Sequence, residues 1–241
     1  MDDWELKPAR DLGLPPTERH RSLKREGGLI ETVLRAAWWS SVRASLKVFH
    51  RLEVHGREHL PPEPSFVVAA NHGSHADALV IGSALPLRLR DKLFPLAAGD
   101  VFFETPAVAA FAATVFNALP VWRKNCGAHA LAELRQRLLE EPCAYILFPE
   151  GKRTRTGTMN PFRPGIGMLV AGTPVPVVPC FLKGTYEACP PQRIVPRFVK
   201  ISMWLGRPMS FSTLGNSRAG WNTVAEATES AVKQLARAAE G

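Results

Sequence analysis

Apolar and polar positions fall in blocks along the chain, and the period within each block predicts an element. From Leu29, the residues Ile30, Val33, Leu34, Ala37, Trp38, Val42, Leu46 and Phe49 recur at three- and four-residue spacing. That is the stripe of an amphipathic helix. Arg35, Trp39, Arg43, Lys47 and Arg51, each four apart, form a second stripe that is basic with one tryptophan in it. Two readings follow. The helix packs on a domain and leaves a solvated basic face, or it lies on an anionic membrane with cations at the headgroups and tryptophan at the interface. Further on, "SFVVAAN", "KLFPLAAG", "ALPVWRK", "CAYILF", "VPVVPCFLKG" and "VKISMWLGRPM" read as strands bounded by turn residues. Between them, "ADALVIGSAL", the stretch from Pro106 to Ala118, "AHALAELRQRLLEE" and the final "TVAEATESAVKQLARAA" read as helices. Strands alternating with helices predict a single α/β domain with a mostly parallel mixed sheet flanked by helices. Residues 1–27 read as a flexible basic lead, 28–55 as the amphipathic segment, and 56–241 as the α/β domain.

Composition narrows the class. With 241 residues and 46% hydrophobic content, the chain can bury a sizeable core, which excludes global disorder. A net charge of +8 implies an anionic partner: a nucleic acid, a membrane surface or a phosphorylated substrate. The aromatic-basic interleaving of single-strand binders is missing, which argues against nucleic acid. None of the four cysteines falls in a CxxC spacing, so a zinc ribbon is excluded. The opening "MDDWELKPARDLG" lacks the apolar core of a signal peptide. The longest apolar candidate, "TPAVAAFAATVFNALPVW", is broken by Pro106, Asn117 and Pro120, so no spanning helix is expected. A reducing cytoplasm is the default location.

The chemistry concentrates where predicted strands stop. After "FVVAA" comes a polar knot: Asn71, His72, Ser74, His75 and Asp77. On one continuous helix His72 and Asp77 would point about 140° apart. They meet only if His72 lies in the loop and Asp77 in the first helical turn. Ser-x-x-Asp is a capping-box pattern, with Ser74 at the N-cap and Asp77 at N3. An aspartate that orients a histidine fixes its tautomer and stabilises the imidazolium, which makes a general-base pair. Capping alone also explains Asp77, and His72 read by itself is an ordinary loop histidine. A metal would need His72, His75 and Asp77 plus a further ligand. No second His or Cys cluster supplies one, so no metal is expected, and His75 is expected to have no chemical role.

A second strand end carries "FPEGKRTRTG". Glu150 and Gly151 form a tight turn, followed by Lys152, Arg153 and Arg155. Such cations suit a phosphate, because guanidinium forks bind its oxygens in pairs. A solvated basic loop is the simpler reading of the same residues. Arg123 closes a third strand end, after "LPVW". If these strands are neighbours, base and cations share one pocket.

These blocks resemble the glycerolipid acyltransferase family, the 1-acylglycerol-3-phosphate acyltransferase-like proteins. "NHGSHAD" resembles the first family block, "NALPVWR" the second, "FPEGKR" the third and "VPVVP" the fourth, in order, from about Gly56 to Pro208. Asn117 stands where the second block often has glycine, and Lys152 where the third usually has threonine. The resemblance implies transfer of an acyl group from acyl-CoA or acyl carrier protein to a lysophospholipid hydroxyl, without metal or cofactor. It implies His72 as base, Asp77 as its partner, and Arg123, Glu150, Gly151, Lys152 and Arg153 around the acceptor, with Asn71, Ser74 and Arg155 in support. The expected product is phosphatidate, in phospholipid biosynthesis. The expected place is the cytoplasmic face of a membrane, held peripherally on its anionic surface. Backbone N–H groups at the start of the helix after the knot are the expected oxyanion donors. Acyl transfer to glycerol-3-phosphate or to another lysolipid or amino-lipid, a thioester hydrolase, and a non-enzymatic membrane-binding module are the alternatives.

Overall fold

The computed structural model describes residue 9 and residues 11–122, 128–193 and 195–240. Strands β1 (Glu53–His55), β2 (Phe66–Ala70), β3 (Leu93–Ala98), β4 (Leu119–Val121), β5 (Ala144–Leu147), β6 (Val177–Lys183) and β7 (Ser202–Leu205) form one seven-stranded sheet in the order β1-β7-β6-β2-β5-β3-β4. All neighbours pair in parallel except β6 and β7, which are antiparallel. The expected mostly parallel mixed sheet is therefore the observed one. Around it lie α1 (Pro16–Arg19), α2 (Leu29–Phe49), α3 (Asp77–Ala84), α4 (Gly99–Phe102), α5 (Pro106–Thr114), α6 (Ala128–Glu140), α7 (Gly165–Val170), α8 (Thr185–Ala188) and α9 (Arg218–Ala238).

Both faces of the sheet are covered, which is why its central strands read as unbroken apolar runs. Along β2, Val67 and Ala69 join a core with residues of α6, α7 and α9, while Phe66, Val68 and Ala70 join another with α2 and α3. β2 sits between β5 and β6, so the C-terminal ends of these three strands open onto one edge.

The helix expected over Pro106–Ala118 ends at Thr114. Asn117 takes a left-handed backbone with φ 57° and turns the chain into β4. Asparagine tolerates that region better than most residues. Its side chain is also at work. Nδ2 donates to Asp91 O and Leu93 O, each at 3.2 Å, and Oδ1 accepts from Arg25 at 3.0 Å and from Arg35 at 3.4 Å.

α2 is amphipathic, and over its first turns its faces are reversed from the simplest expectation, while Val42 and Leu46 further along pack on the core. Arg35 and Trp39 are buried, whereas Leu29, Ile30, Val33, Leu34, Val48 and Phe49 are exposed. Specific partners explain the inward cations. Arg35 pairs with Asp91 at 2.9 Å, and Arg43 donates to the α3 C-terminal carbonyls of Ser83 and Leu85 at 2.8 and 2.6 Å. Cations are favoured at a helix C-terminus. Trp39 packs against Gly82, where any Cβ would collide with its ring. Of the basic stripe, only Lys47 and Arg51 are exposed.

The segment expected as a flexible lead is, over residues 11–27, held against the domain. Asp11 pairs with Arg19 at 2.6 Å, Leu23 packs on the α6 side of the core, and Arg137 donates to Leu23 O. No helix among the described residues is long and apolar enough to cross a membrane.

Candidate active site

β2 ends at Ala70, and Asn71 extends its pairing with β6. Its Nδ2 donates to Leu182 O at 3.1 Å and its Oδ1 accepts from Leu182 N at 2.8 Å. His72 is then clamped through its own backbone. Its N–H donates to Glu150 Oε1 at 2.7 Å, and its carbonyl accepts from Thr154 N at 2.8 Å. The ring stacks on Phe148, with centroids 4.1 Å apart and planes 12° apart. His72 Nδ1 lies 2.8 Å from Asp77 Oδ2. A carboxylate only accepts, so Nδ1 carries the proton and the Nε2 lone pair is left to take another.

Asp77 is fully buried. Its Oδ2 also accepts from Gly73 N at 2.7 Å and Ser74 N at 2.8 Å, while Oδ1 has no partner among the described residues. The capping box is therefore half made, and Ser74 is not the N-cap. α3 begins at Asp77 with Ala76 as its cap. The Ser74 hydroxyl instead donates to Cys189 O at 2.7 Å and accepts from Ala76 N at 3.1 Å. The donation ties the knot to Cys189, the residue after α8, and leaves the hydroxyl oxygen free to accept from Ala76 N–H. The N–H groups of His72, Gly73, Ser74, Ala76 and Asp77 all have acceptors within the fold.

The loop after β5 is built around Gly151, whose φ of 72° favours glycine. Glu150 was expected at the acceptor, yet its carboxylate faces inward and is 1% exposed. Besides His72 N–H, it accepts from Asn160 N at 2.8 Å and Asn160 Nδ2 at 2.7 Å. Burial raises its pKa, against the pull of these donors. Lys152 and Arg155 are exposed and Arg153 is half-buried. Arg153 lies close enough to His75 to lower that histidine's pKa, second only to burial itself. Arg123 lies outside the described residues. Trp122 before it rests against Gly99 at the start of α4.

Two residues that the sequence did not single out complete the arrangement. Asn160 shares Glu150 with His72. Tyr186 of α8 wedges between the loops: its Cβ would lie 3.1 Å from a Cβ at Gly73, its ring 3.2 Å from one at Gly157, and its hydroxyl donates to Arg155 O at 2.9 Å. Glycine at 73 and 157 was the available signal, since a close approach requires a missing side chain. A groove of ≈210 Å³ runs beside His72, lined by Glu150, Met159, Phe181, Lys183 and Tyr186 among others. Among the described residues no group of three or more His, Cys, Asp or Glu side chains is placed to hold a metal ion.

Residues 51–183, more than half of the chain, match the family model described as Acyltransferase. The chain belongs to that acyltransferase family. Curated relatives include the 1-acyl-sn-glycerol-3-phosphate acyltransferase alpha of Mus musculus, 32% identical over 131 residues, covering 54% of this chain and 44% of the mouse protein. The chloroplastic 1-acyl-sn-glycerol-3-phosphate acyltransferase BAT2 of Brassica napus is 27% identical over 157 residues, covering 64% of this chain and 43% of that protein. The match thus spans less than half the length of these curated relatives. Among solved structures, the 1-acyl-sn-glycerophosphate (LPA) acyltransferase PlsC from Thermotoga maritima shares the fold, with a TM-score of 0.63 at 24% identity, covering 82% of this chain and 79% of that one. The family match contains His72, Asp77 and the whole loop from Phe148 to Arg155, so the His72–Asp77 pair and the cation-bearing loop of this chain fall within the shared region.

Proposed function

We propose that the chain transfers a fatty acyl group from a thioester donor, acyl-CoA or acyl carrier protein, to the free hydroxyl of 1-acylglycerol-3-phosphate, giving phosphatidate. One observation carries this reading: His72, with its Nδ1 proton held by buried Asp77 and its Nε2 lone pair unused, stands on the same edge as the cation-bearing loop of Arg153. A hydroxyl is a poor nucleophile at neutral pH. As its oxygen attacks the thioester carbonyl carbon, its proton passes to His72 Nε2. Asp77 stabilises the imidazolium so formed. When the tetrahedral intermediate collapses, the C–S bond breaks and the departing sulfur takes the proton back, releasing ester and free thiol. The names of the curated relatives support this acceptor.

Lys152, Arg153 and Arg155 favour a phosphorylated acceptor over water, which needs no phosphate contact. On this reading the imidazole ring is fixed by stacking on Phe148, while Glu150 and Asn160 hold its backbone rather than the acceptor. The acceptor and product are lipids, and the outward apolar face of α2 suits docking on a bilayer. That face continues into α5, where Trp38 meets Phe111 edge-on at 5.7 Å and Val108 and Phe111 are exposed.

The test is product analysis by mass spectrometry, with lysophosphatidate and a long-chain acyl-CoA presented on vesicles. Phosphatidate formation is expected. Free fatty acid as the sole product would favour a hydrolase, and no turnover with acyl-CoA or with an acyl carrier protein thioester would favour a binding module.

A further inference from the structure

A second cavity, of ≈130 Å³, lies away from the dyad between the segment 11–27, the first turns of α2 and the end of α5. Arg19, His20, Arg25 and Arg35 line it, together with Leu14 and Thr114. Arg25 is 6% exposed, and its guanidinium meets neutral acceptors: His20 O at 3.2 Å, Asn117 Oδ1 at 3.0 Å and Ala118 O at 3.1 Å. No described carboxylate pairs with it. Its neighbours are already matched, Arg19 with Asp11 at 2.6 Å and Arg35 with Asp91 at 2.9 Å. Glu26 and Glu31 also line the cavity, but Glu31 is occupied by Gly28 N–H at 2.9 Å and Glu26 has a partner of its own.

A guanidinium buried without a counter-charge is costly. The surroundings register it. Arg25 has its pKa lowered to about 9, by burial first and then by Arg137 and Arg35, against Asp11. His20, on the same wall, is lowered by burial and then by Arg25 and Arg19, against Glu31. Burial and the neighbouring guanidiniums thus outweigh Asp11 at Arg25 and Glu31 at His20. Guanidinium forks and a chamber of this size suit a tetrahedral oxyanion.

We infer that this cavity binds a phosphate group, supplied either as free phosphate or as the headgroup of an anionic phospholipid. The site is separate from the dyad and does not depend on catalysis. Leu14, itself exposed, lines the cavity, and Leu12, Leu29 and Ile30 are exposed on the same two segments, apolar surface that a lipid-borne phosphate would favour.

The experiment measures thermal unfolding of the full chain carrying His72→Ala, so that turnover plays no part. Millimolar inorganic phosphate, dihexanoyl phosphatidate and dihexanoyl phosphatidylcholine are compared at matched ionic strength. Thr114→Glu and Leu14→Glu each tether a carboxylate at the cavity wall. The expected result is a rise in Tm of about 3–6 °C at ten times Kd in the parent, lost in both variants. Phosphate and phosphatidate acting alike identifies a free-phosphate site, and phosphatidate acting alone identifies a headgroup site. No rise with either anion in the parent, or a rise that persists in either folded variant, overturns the inference.

Discussion

At the residue scale, the chain holds one histidine with unusual thoroughness. His72 is fixed by Asp77 at its ring nitrogen, by Phe148 at its ring face, and by Glu150 and Thr154 at its backbone. The His-x4-Asp spacing made the dyad legible, because only one loop-to-helix geometry lets those side chains meet. Glu150 was not legible in the same way. Its role depends on Asn160, ten residues on, and on a backbone contact that no spacing encodes. Glu150→Gln leaves one acceptor oxygen for anchors that now use two, so kcat should fall by on the order of tenfold or more with little change in acceptor KM. Steady-state kinetics on lysophosphatidate would show the split. The pH dependence has a definite sign. Burial lifts this carboxyl above its unfolded value, so the folded protein takes up the proton first as pH falls. Relative to Glu150→Gln, the parent should therefore gain stability as pH drops from neutrality towards the ordinary glutamate range. Urea unfolding across that range checks it, and a relative loss would mean that the hydrogen bonds outweigh burial. Asn117 is a residue of the same kind. Asn117→Ala loses contacts to two buried arginines and strains a left-handed backbone, and should cost about 2–4 kcal/mol by chemical denaturation.

At the element scale, α2 shows where periodicity informs and where it misleads. The three- and four-residue spacing predicted the helix and both of its stripes. It did not say which stripe faces the sheet, because the usual rule turns cations outward. Here Asp91, the carbonyls ending α3 and the bare backbone of Gly82 draw Arg35, Arg43 and Trp39 inward. None of these partners lies within the helix's own sequence window. Likewise the Ser74 hydroxyl donates to Cys189 O, a partner more than a hundred residues away that the local pattern does not announce. Two consequences can be measured. Gly82→Ala should force Trp39 off α3 and destabilise the fold by about 1–3 kcal/mol, seen as a lower urea midpoint. Binding to anionic liposomes should rest mainly on the exposed apolar face. It should survive high salt and fall sharply when Ile30, Val33, Leu34 and Phe111 are changed to serine. Co-sedimentation abolished by salt alone would return the weight to Lys47 and Arg51.

At the scale of the whole molecule, the parallel core gathers the pieces. β2 lies between β5 and β6, so the loops after all three strands converge, and Tyr186 from the third wedges between the other two. Alternating strands and helices made this architecture legible from sequence, and the order of four short blocks pointed to the family. β1 and the short α7 were missed because three- and six-residue elements carry too little pattern of their own. The central claim is that this convergence makes His72 a general base for acyl transfer to lysophosphatidate. The most direct measurement is phosphatidate formation from lysophosphatidate and acyl thioester by the parent and by His72→Ala, each shown to be folded by circular dichroism. The rate should fall by about 10²–10⁴ in the variant. A folded His72→Ala protein that keeps near-parental turnover would contradict the claim.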